Sequence, residues 1–558
     1  SGAAAQQVVV MDEQAVAALA PRRASSYVVQ GPPMPVMTRA EARRVLARPR
    51  GTLSQGKTNE GALIGGRRIR LRGKGYAFFS HIKERETHFG TYEMKRFIER
   101  TGRRFRKLHR WSSVGIGNVS VREGGKTRWH ASHQTGRDVD IAMFGKDSRG
   151  RQVNPRGFAT YNRALKSATG LTFDVKRNTD LVKTLMTDPE YQVQWIFIAR
   201  WLRSRILSNA KKRNFDPDLI ARMEQVMKQP GDSAPHDNHF HVRLYCSVED
   251  RMHGCVERGP VWSWVDLGDS VFEAYVDNLE RILDVPHSKL RLSAIQRLRS
   301  IRAHSAIPSL IAHLRDPHQG VRKAALDTIG SFRSSDAVDG LLDLVAQTES
   351  SNWAAAIFRT AMRSAGDQRA NIARAFLAEP AAMLHPSVAK GQLAGFYGVV
   401  IRTLKSEADP SVTPGLITLL GARSKEVRAL AQAALQHIIC HEAEHDAVDG
   451  DADERARAVA AWQTLWDTHR QRTWADWVHE GIASAGYELR EDLHDTECIE
   501  TLIEATGDKR DHIFQNAVRL LGVVTGHVVD PSSRSAKRHH LYWRRWWERQ
   551  QANTDGAN

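Results

Sequence analysis

Two short stretches of this 558-residue chain concentrate side chains that bind metals or move protons. The first is His130-Ala131-Ser132-His133-Gln134-Thr135-Gly136-Arg137-Asp138-Val139-Asp140-Ile141, and the second is His236-Asp237-Asn238-His239-Phe240-His241-Val242-Arg243-Leu244. Imidazole nitrogens and carboxylate oxygens are donors that Zn²⁺ accepts, and a catalytic zinc takes three of them while a fourth position stays open to water. The spacing adds geometry. His239 and His241 are two apart, so on a strand both imidazoles project from one face while Phe240 and Val242 project from the other. Asp140 lies in the strand-like run Asp138 to Phe144, and Gly136 permits a turn between it and His133. Either motif alone is weak, because any strand can carry two hydrogen-bonded histidines; together they form a much stronger signal.

The elements that must position these residues belong to a mixed region. From about 51 to 270 short β-like runs alternate with glycine-bearing loops and a few helices, with helices expected around Tyr92 to Arg100 and around Tyr191 to Leu207. This is an α+β pattern with a small antiparallel sheet. Residues 1 to 50 are rich in Ala, Pro, Val and Arg, and Pro21, Pro32, Pro33 and Pro35 break any helix there, so they read as an extended or partly disordered arm.

Beyond about residue 271 strand signals vanish and amphipathic helices run to residue 558. A shift of 31 residues places Ala294 on Ala325, Leu298 on Ile329, Arg302 on Arg333, Ala306 on Ala337, Ile307 on Val338 and Leu310 on Leu341. Apolar positions coincide and polar ones drift, which marks a two-helix unit that must stack on neighbours to bury a core. The unit resembles the HEAT repeat, and Gly415 to Leu420 followed by Glu426 to Ala431 looks like a displaced third copy. Trp462 and Trp466, echoed by Trp543 and Trp547 at the same i, i+4 spacing, read as core and capping residues of these helices.

Composition bounds the partners. Lys and Arg (81) exceed Asp and Glu (63), a balance that favours polyanions: nucleic acid, an acidic membrane face or an anionic cell wall. No run approaches the ~18 uninterrupted apolar residues needed to cross a bilayer. The opening Ser1-Gly2-Ala3-Ala4-Ala5 reads as what is left when a leader segment has been removed or the chain trimmed, and hints at export. Cys246 and Cys255 lie in a polar, loop-like stretch at a spacing that suits a local disulfide in an oxidising compartment, or else are two free thiols. Cys440 and Cys498, in helical segments, either pair or pack.

Two further stretches carry chemistry on paper only. His441-Glu442-Ala443-Glu444-His445 satisfies the HExxH pattern of zinc peptidases, which needs both histidines on one helix face. It falls at the end of a repeat helix and runs into an acidic loop with no strand-rich scaffold around it, so it reads as an exposed helix end. The cationic, aromatic stretch Lys537 to Arg549 suits a last amphipathic helix, tryptophans inward and arginines outward.

The two histidine-rich motifs resemble the signatures of penicillin-insensitive murein endopeptidase, one of the zinc peptidases that include lysostaphin, D-Ala-D-Ala peptidases and the hedgehog domain. The likeness extends over about residues 60 to 260 and includes Gly117-Asn118-Val119-Ser120. It implies that His133, Asp140 and His241 bind the catalytic zinc, that His239 and His236 serve catalysis, and that His130 contacts additional metal or substrate. It also implies a local disulfide between Cys246 and Cys255. The implied activity is zinc-dependent hydrolysis of peptide cross-links in bacterial peptidoglycan, of the D-Ala to meso-diaminopimelate type, in the periplasm or outside the cell. Peptidoglycan is then the expected partner; nucleic acid is not, and a protein partner would use the helical repeats. The alternatives are a D-Ala-D-Ala carboxypeptidase or dipeptidase, and a basic HEAT-repeat scaffold whose peptidase domain is degenerate.

Overall fold

A computed structural model describes residues 36–48, 51–231, 234–391 and 393–555. Residues 1–35, most of the expected arm, lie outside the described residues. The remainder falls into two compact units, one ending at Thr328 and the other beginning at Ile329.

The first unit opens with α1 (Arg39–Leu46), whose N-terminus is closed by a capping box in which Thr38 and Glu41 satisfy each other's backbone donors. It packs against two later helices of the same unit, Asp269–Leu283 and Ser288–Ser300. A hairpin follows, β1 (Leu53–Lys57) with β2 (Glu60–Ile64).

The centre of the unit is a seven-stranded sheet. Its strands are β3 (Arg72–Gly73), β4 (Tyr76–Phe78), β5 (Val114–Ile116), β6 (Asp138–Ala142), β7 (Val193–Phe197), β8 (Met227–Lys228) and β9 (His239–Leu244), in the order β8-β7-β9-β6-β5-β4-β3. The pairs around β6 and β9 are antiparallel, as expected, but β4 with β5 and β7 with β8 run parallel. The sheet is therefore mixed rather than wholly antiparallel; strands of two or three residues carry no readable period, so this was not visible in the sequence.

α2 (Tyr92–Leu108) packs against β4 and against the helix Val175–Met186; it is capped by Thr91 and runs further than the expected Tyr92 to Arg100. The expected helix over Tyr191 to Leu207 is corrected. Val193-Gln194-Trp195-Ile196-Phe197 is strand β7, and the helix, α3 (Arg200–Lys212), begins only after it. The β-branched and aromatic side chains of that run favour a pleated, half-buried surface over a helix.

The register of β9 on β6 decides where chemistry can happen. His241 stands opposite Asp140, Arg243 opposite Asp138, Phe240 opposite Ile141 and Val242 opposite Val139. Directly paired residues share a face. Phe240, Val242, Val139 and Ile141 are all buried, in one cluster with Phe97 and Phe105 of α2 and Leu202 and Ile206 of α3. That apolar face holds the sheet down, while Asp138, Asp140, His239, His241 and Arg243 share the opposite face.

From Asp269 onward, through the end of the first unit and the whole of the second, every described element is helical. The repeat seen in the sequence has a structural counterpart: helices begin at Ser288 and Gln319, 3₁₀ turns at His304 and Ser335, and second helices at Ile307 and Val338, 31 residues apart in each case. Arg302 and Arg333, also 31 apart, both take left-handed backbone angles (φ 53° and 51°) where the first helix of each pair ends. Within the second unit Trp543 is fully buried with Ile482, Leu502 and Leu521, Trp547 packs against that cluster, and Trp462 is buried as well. Trp462 and Trp543 are core residues of the helices, whereas Trp466 and Trp547 are half-buried. No described helix is long and apolar enough to cross a membrane.

Candidate metal centre

The site is assembled by three segments. β6 presents Asp138 and Asp140, β9 presents His239 and His241, and the loop ahead of β6 brings in His130 and His133. That loop turns through Gly136 at φ 73°, where a side chain would strike Leu63 and the Thr91 amide. The glycine lets β6 leave the loop directly beneath the histidines. His133 and His236 themselves sit at φ 67° and 54°, a left-handed conformation that costs a non-glycine residue about 1 kcal/mol and persists only where the surroundings enforce it.

Asp140 Oδ1 is the meeting point. It lies 3.1 Å from His133 Nε2, 3.3 Å from His239 Nε2 and 3.4 Å from His241 Nδ1. His130 Nε2 is 3.9 Å from the other carboxylate oxygen. His236 closes the ring, its imidazole centroid 5.0 Å from that of His239 and 5.6 Å from that of His241. Two sets of donors thus converge: His130, His133 and Asp140 form one, and His236, His239 and His241 the other.

Supporting contacts aim these groups. His133 Nδ1 donates to the Val119 carbonyl at 2.8 Å, so Nε2 faces Asp140. His236 Nδ1 pairs with the Ala234 carbonyl at 2.8 Å and His239 Nδ1 with Asn238 Oδ1 at 2.5 Å, which leaves Nε2 of each as the free nitrogen. Asn118 links Thr87, 2.7 Å away, to Asp140 Oδ2, 3.5 Å away. Arg243 grips Asp138 through Nε at 2.7 Å and Nη2 at 3.3 Å, and Asp138 Oδ1 lies 3.5 Å from His241 Nε2.

The electrostatics follow from burial among these partners. Burial pushes both aspartates up, but Arg243 and His241 at Asp138, and His133 and His239 at Asp140, hold both carboxyls well below the usual range. Burial and then the neighbouring imidazoles push His130 and His236 down to about 4, so both are neutral at neutral pH with lone pairs available. Burial lowers His241, yet its two aspartates more than offset that and raise it.

The residues fit a zinc ion. Nε2 of His130, His133 and His241 and Oδ1 of Asp140 are buried without a hydrogen-bond partner, and a buried polar atom left so is costly unless something else satisfies it. Four ligands at about 2.0–2.1 Å around a tetrahedral ion stand about 3.3 Å from one another. The distances from Asp140 Oδ1 to His133 Nε2 and His241 Nδ1, 3.1 and 3.4 Å, bracket that edge.

Several contributors had no assigned role in the sequence reading. Asp138 and Arg243 were legible in principle, since each is two residues from a ligand candidate on the same strand face. Phe158 was not. Its ring lies 4.8 Å from that of His239 and edge-on to Phe79 at 5.1 Å, and it fits only because Gly117 has no side chain to meet it. Cys246 and Cys255 form a disulfide just after β9, whose end is also held by buried Arg137 donating to the Leu244 carbonyl at 2.6 Å. Cys440 and Cys498 are buried free thiols. The HExxH segment is not helical: the helix Lys425–Ile439 closes at Cys440 in a left-handed conformation, and His445 turns to Glu454 at 3.2 Å.

Comparison with known proteins agrees with the motifs. Residues 54–278 match the family model for penicillin-insensitive murein endopeptidase, and residues 276–360 match that for HEAT repeats. A protein of Haemophilus influenzae named penicillin-insensitive murein endopeptidase is 25% identical over 221 residues, which cover 39% of this chain and 71% of that protein. Human deoxyhypusine hydroxylase in complex with glycerol aligns with 51% of this chain and 99% of its own, at 17% identity and a TM-score of 0.21, too low to support a structural inference. The resemblance seen in the sequence, to murein endopeptidases ahead of HEAT-like repeats, is borne out.

Proposed function

We propose that this protein hydrolyses peptide cross-links of bacterial peptidoglycan, with a zinc ion held by His133, Asp140 and His241. The approach of His133, His239 and His241 ring nitrogens to the buried Asp140 Oδ1, 3.1–3.4 Å away, carries the reading, and it lies inside the segment that matches the murein endopeptidase family. Zinc in such a site supplies an acidified water and an electrophile for the scissile carbonyl.

The chain's own residues supply the rest. His239 offers Nε2 as a proton acceptor because Nδ1 is committed to Asn238. The proton that His239 takes from water is the one the leaving amine then receives, with neutral His236 beside it, ring centroids 5.0 Å apart. Asn118 and the Val119 carbonyl keep Asp140 and His133 aimed at the centre, and such supporting contacts typically contribute 10- to 100-fold in metal affinity or activity. The disulfide suits an oxidising compartment, and the excess of cations suits an anionic wall, which together favour a periplasmic or secreted site of action.

The test combines metal analysis with purified cross-linked muropeptide dimers read by mass. The parent should hold zinc and release monomers, His133→Ala should lose both metal and activity, and His239→Ala should keep the metal while turnover falls roughly 10²- to 10⁴-fold. Release of a terminal D-alanine with dimers left intact would instead identify a carboxypeptidase. A parent that binds no zinc and changes no muropeptide would leave the helical repeats as a scaffold.

A further inference from the structure

The far end of α2 carries a second feature that the peptidase reading does not use. Leu108 and Trp111 are 60% and 78% exposed, unlike the apolar residues that α2 buries. Trp111 also sits at φ 70°, in a turn closed by the Ser112 amide donating to the His109 carbonyl, a position that glycine would occupy without strain. The turn is held there: Asn154 donates to the Trp111 carbonyl at 3.0 Å and accepts from the Ser113 amide at 2.9 Å. A large apolar side chain is thus displayed to solvent in a conformation it disfavours.

Cations surround it. Arg106, Lys107 and Arg110 are exposed on the same turn and a half. The exposed Lys74 joins them from the β3–β4 hairpin, because a side chain at Gly75 would meet the Gly102 carbonyl and Arg106 Cβ, so the hairpin lies directly on this end of the helix. Among the described residues, no carboxylate lies within ion-pair distance of these four cations. Cations near a helix C-terminus are favoured by its dipole, which explains some of the charge but neither the exposed leucine nor the strained tryptophan. An apolar pair ringed by unpaired cations matches a surface that is anionic outside and apolar just beneath, where tryptophan sits well and each nearby cation adds attraction. A soluble polyanion would satisfy the cations but offers Leu108 no apolar phase.

We propose that Leu108 and Trp111, with Lys74, Arg106, Lys107 and Arg110, dock the protein on an anionic phospholipid bilayer, independently of the chemistry at Asp140. Co-sedimentation of the full chain with vesicles of phosphatidylcholine, with or without about 30 mol% phosphatidylglycerol, tests this. Binding should require the anionic lipid and weaken with salt. Trp111→Gly should lower vesicle affinity about tenfold while the melting temperature holds or rises, because glycine relieves the strained backbone, and hydrolysis of soluble muropeptide dimers should be unchanged. Lys107→Gln with Arg110→Gln should weaken binding and flatten its salt dependence. Equal binding to neutral vesicles, undiminished binding by Trp111→Gly, or binding to peptidoglycan sacculi with vesicles ignored would each overturn the proposal.

Discussion

Two places in this chain hold histidines and carboxylates at spacings associated with zinc, and they differ in what the backbone does with them. At the candidate centre, strand pairing sets His241 opposite Asp140, and the loop ahead of β6 adds His133, so donor atoms stand 3.1–3.4 Å from one oxygen. In His441 to His445 the helix has already ended at Cys440, so no helix face sets the two histidines one turn apart. Glu442 faces Arg510, and His445 faces Glu454. Ligand spacing means something only together with the element that carries it.

The comparison breaks most visibly at the metal. Asp140→Ala should abolish zinc binding and lower dimer cleavage on the order of 10³-fold or more, whereas His441→Ala should leave zinc content and cleavage unchanged. Zinc loss from the His441 variant, by elemental analysis, would reverse the assignment of the two places.

The next effect concerns the support beneath the centre. Arg243 and Asp138 are both buried, and removing one partner leaves an uncompensated charge. Arg243→Met should destabilise the first unit by about 3–5 kcal/mol in denaturant unfolding. No comparable loss is expected from Arg510→Met, whose partners are exposed or partly exposed.

Acid should weaken the second unit through one buried histidine. In the second unit His437 is buried without a partner for either ring nitrogen, and burial, followed by the charges of Arg519 and Lys405, pushes it down to about 2. Above the unfolded value of about 6.5 both states are neutral and nothing is lost; below it only the unfolded chain takes the proton, so stability falls by about 1.4 kcal/mol per pH unit until the folded group titrates. Between pH 7 and pH 5 His437 should contribute about 2 kcal/mol to the loss in the second unit's transition in chemical denaturation of the full chain, and His437→Leu should remove that share.

Much of this was legible in the residues. The alternation His239, His241 against Phe240, Val242 described the strand and its two faces correctly, and the 31-residue repeat is matched by helices and turns that begin 31 residues apart. What escaped depended on contacts between distant segments. Strands as short as Arg72–Gly73 and Met227–Lys228 carry no period, so the parallel edges of the sheet were invisible. The run Val193 to Phe197 was taken into a helix because its neighbours are helical. Phe158 reaches His239 from a loop whose sequence holds no sign of it. Phe158→Leu should reduce kcat about tenfold with KM and zinc content unchanged, the mark of a residue that positions His239 rather than one that binds metal or substrate. Phe158→Tyr should restore most of the rate.

The most direct measurement is cleavage of purified muropeptide dimers by the full chain after chelation and after zinc is returned, followed by mass. The expected result is intact dimers with the chelated protein, monomers once zinc is restored, and no restoration in His133→Ala. Dimers cut equally well by the chelated protein, or left intact by the zinc-restored one, would contradict a zinc peptidase acting on peptidoglycan cross-links.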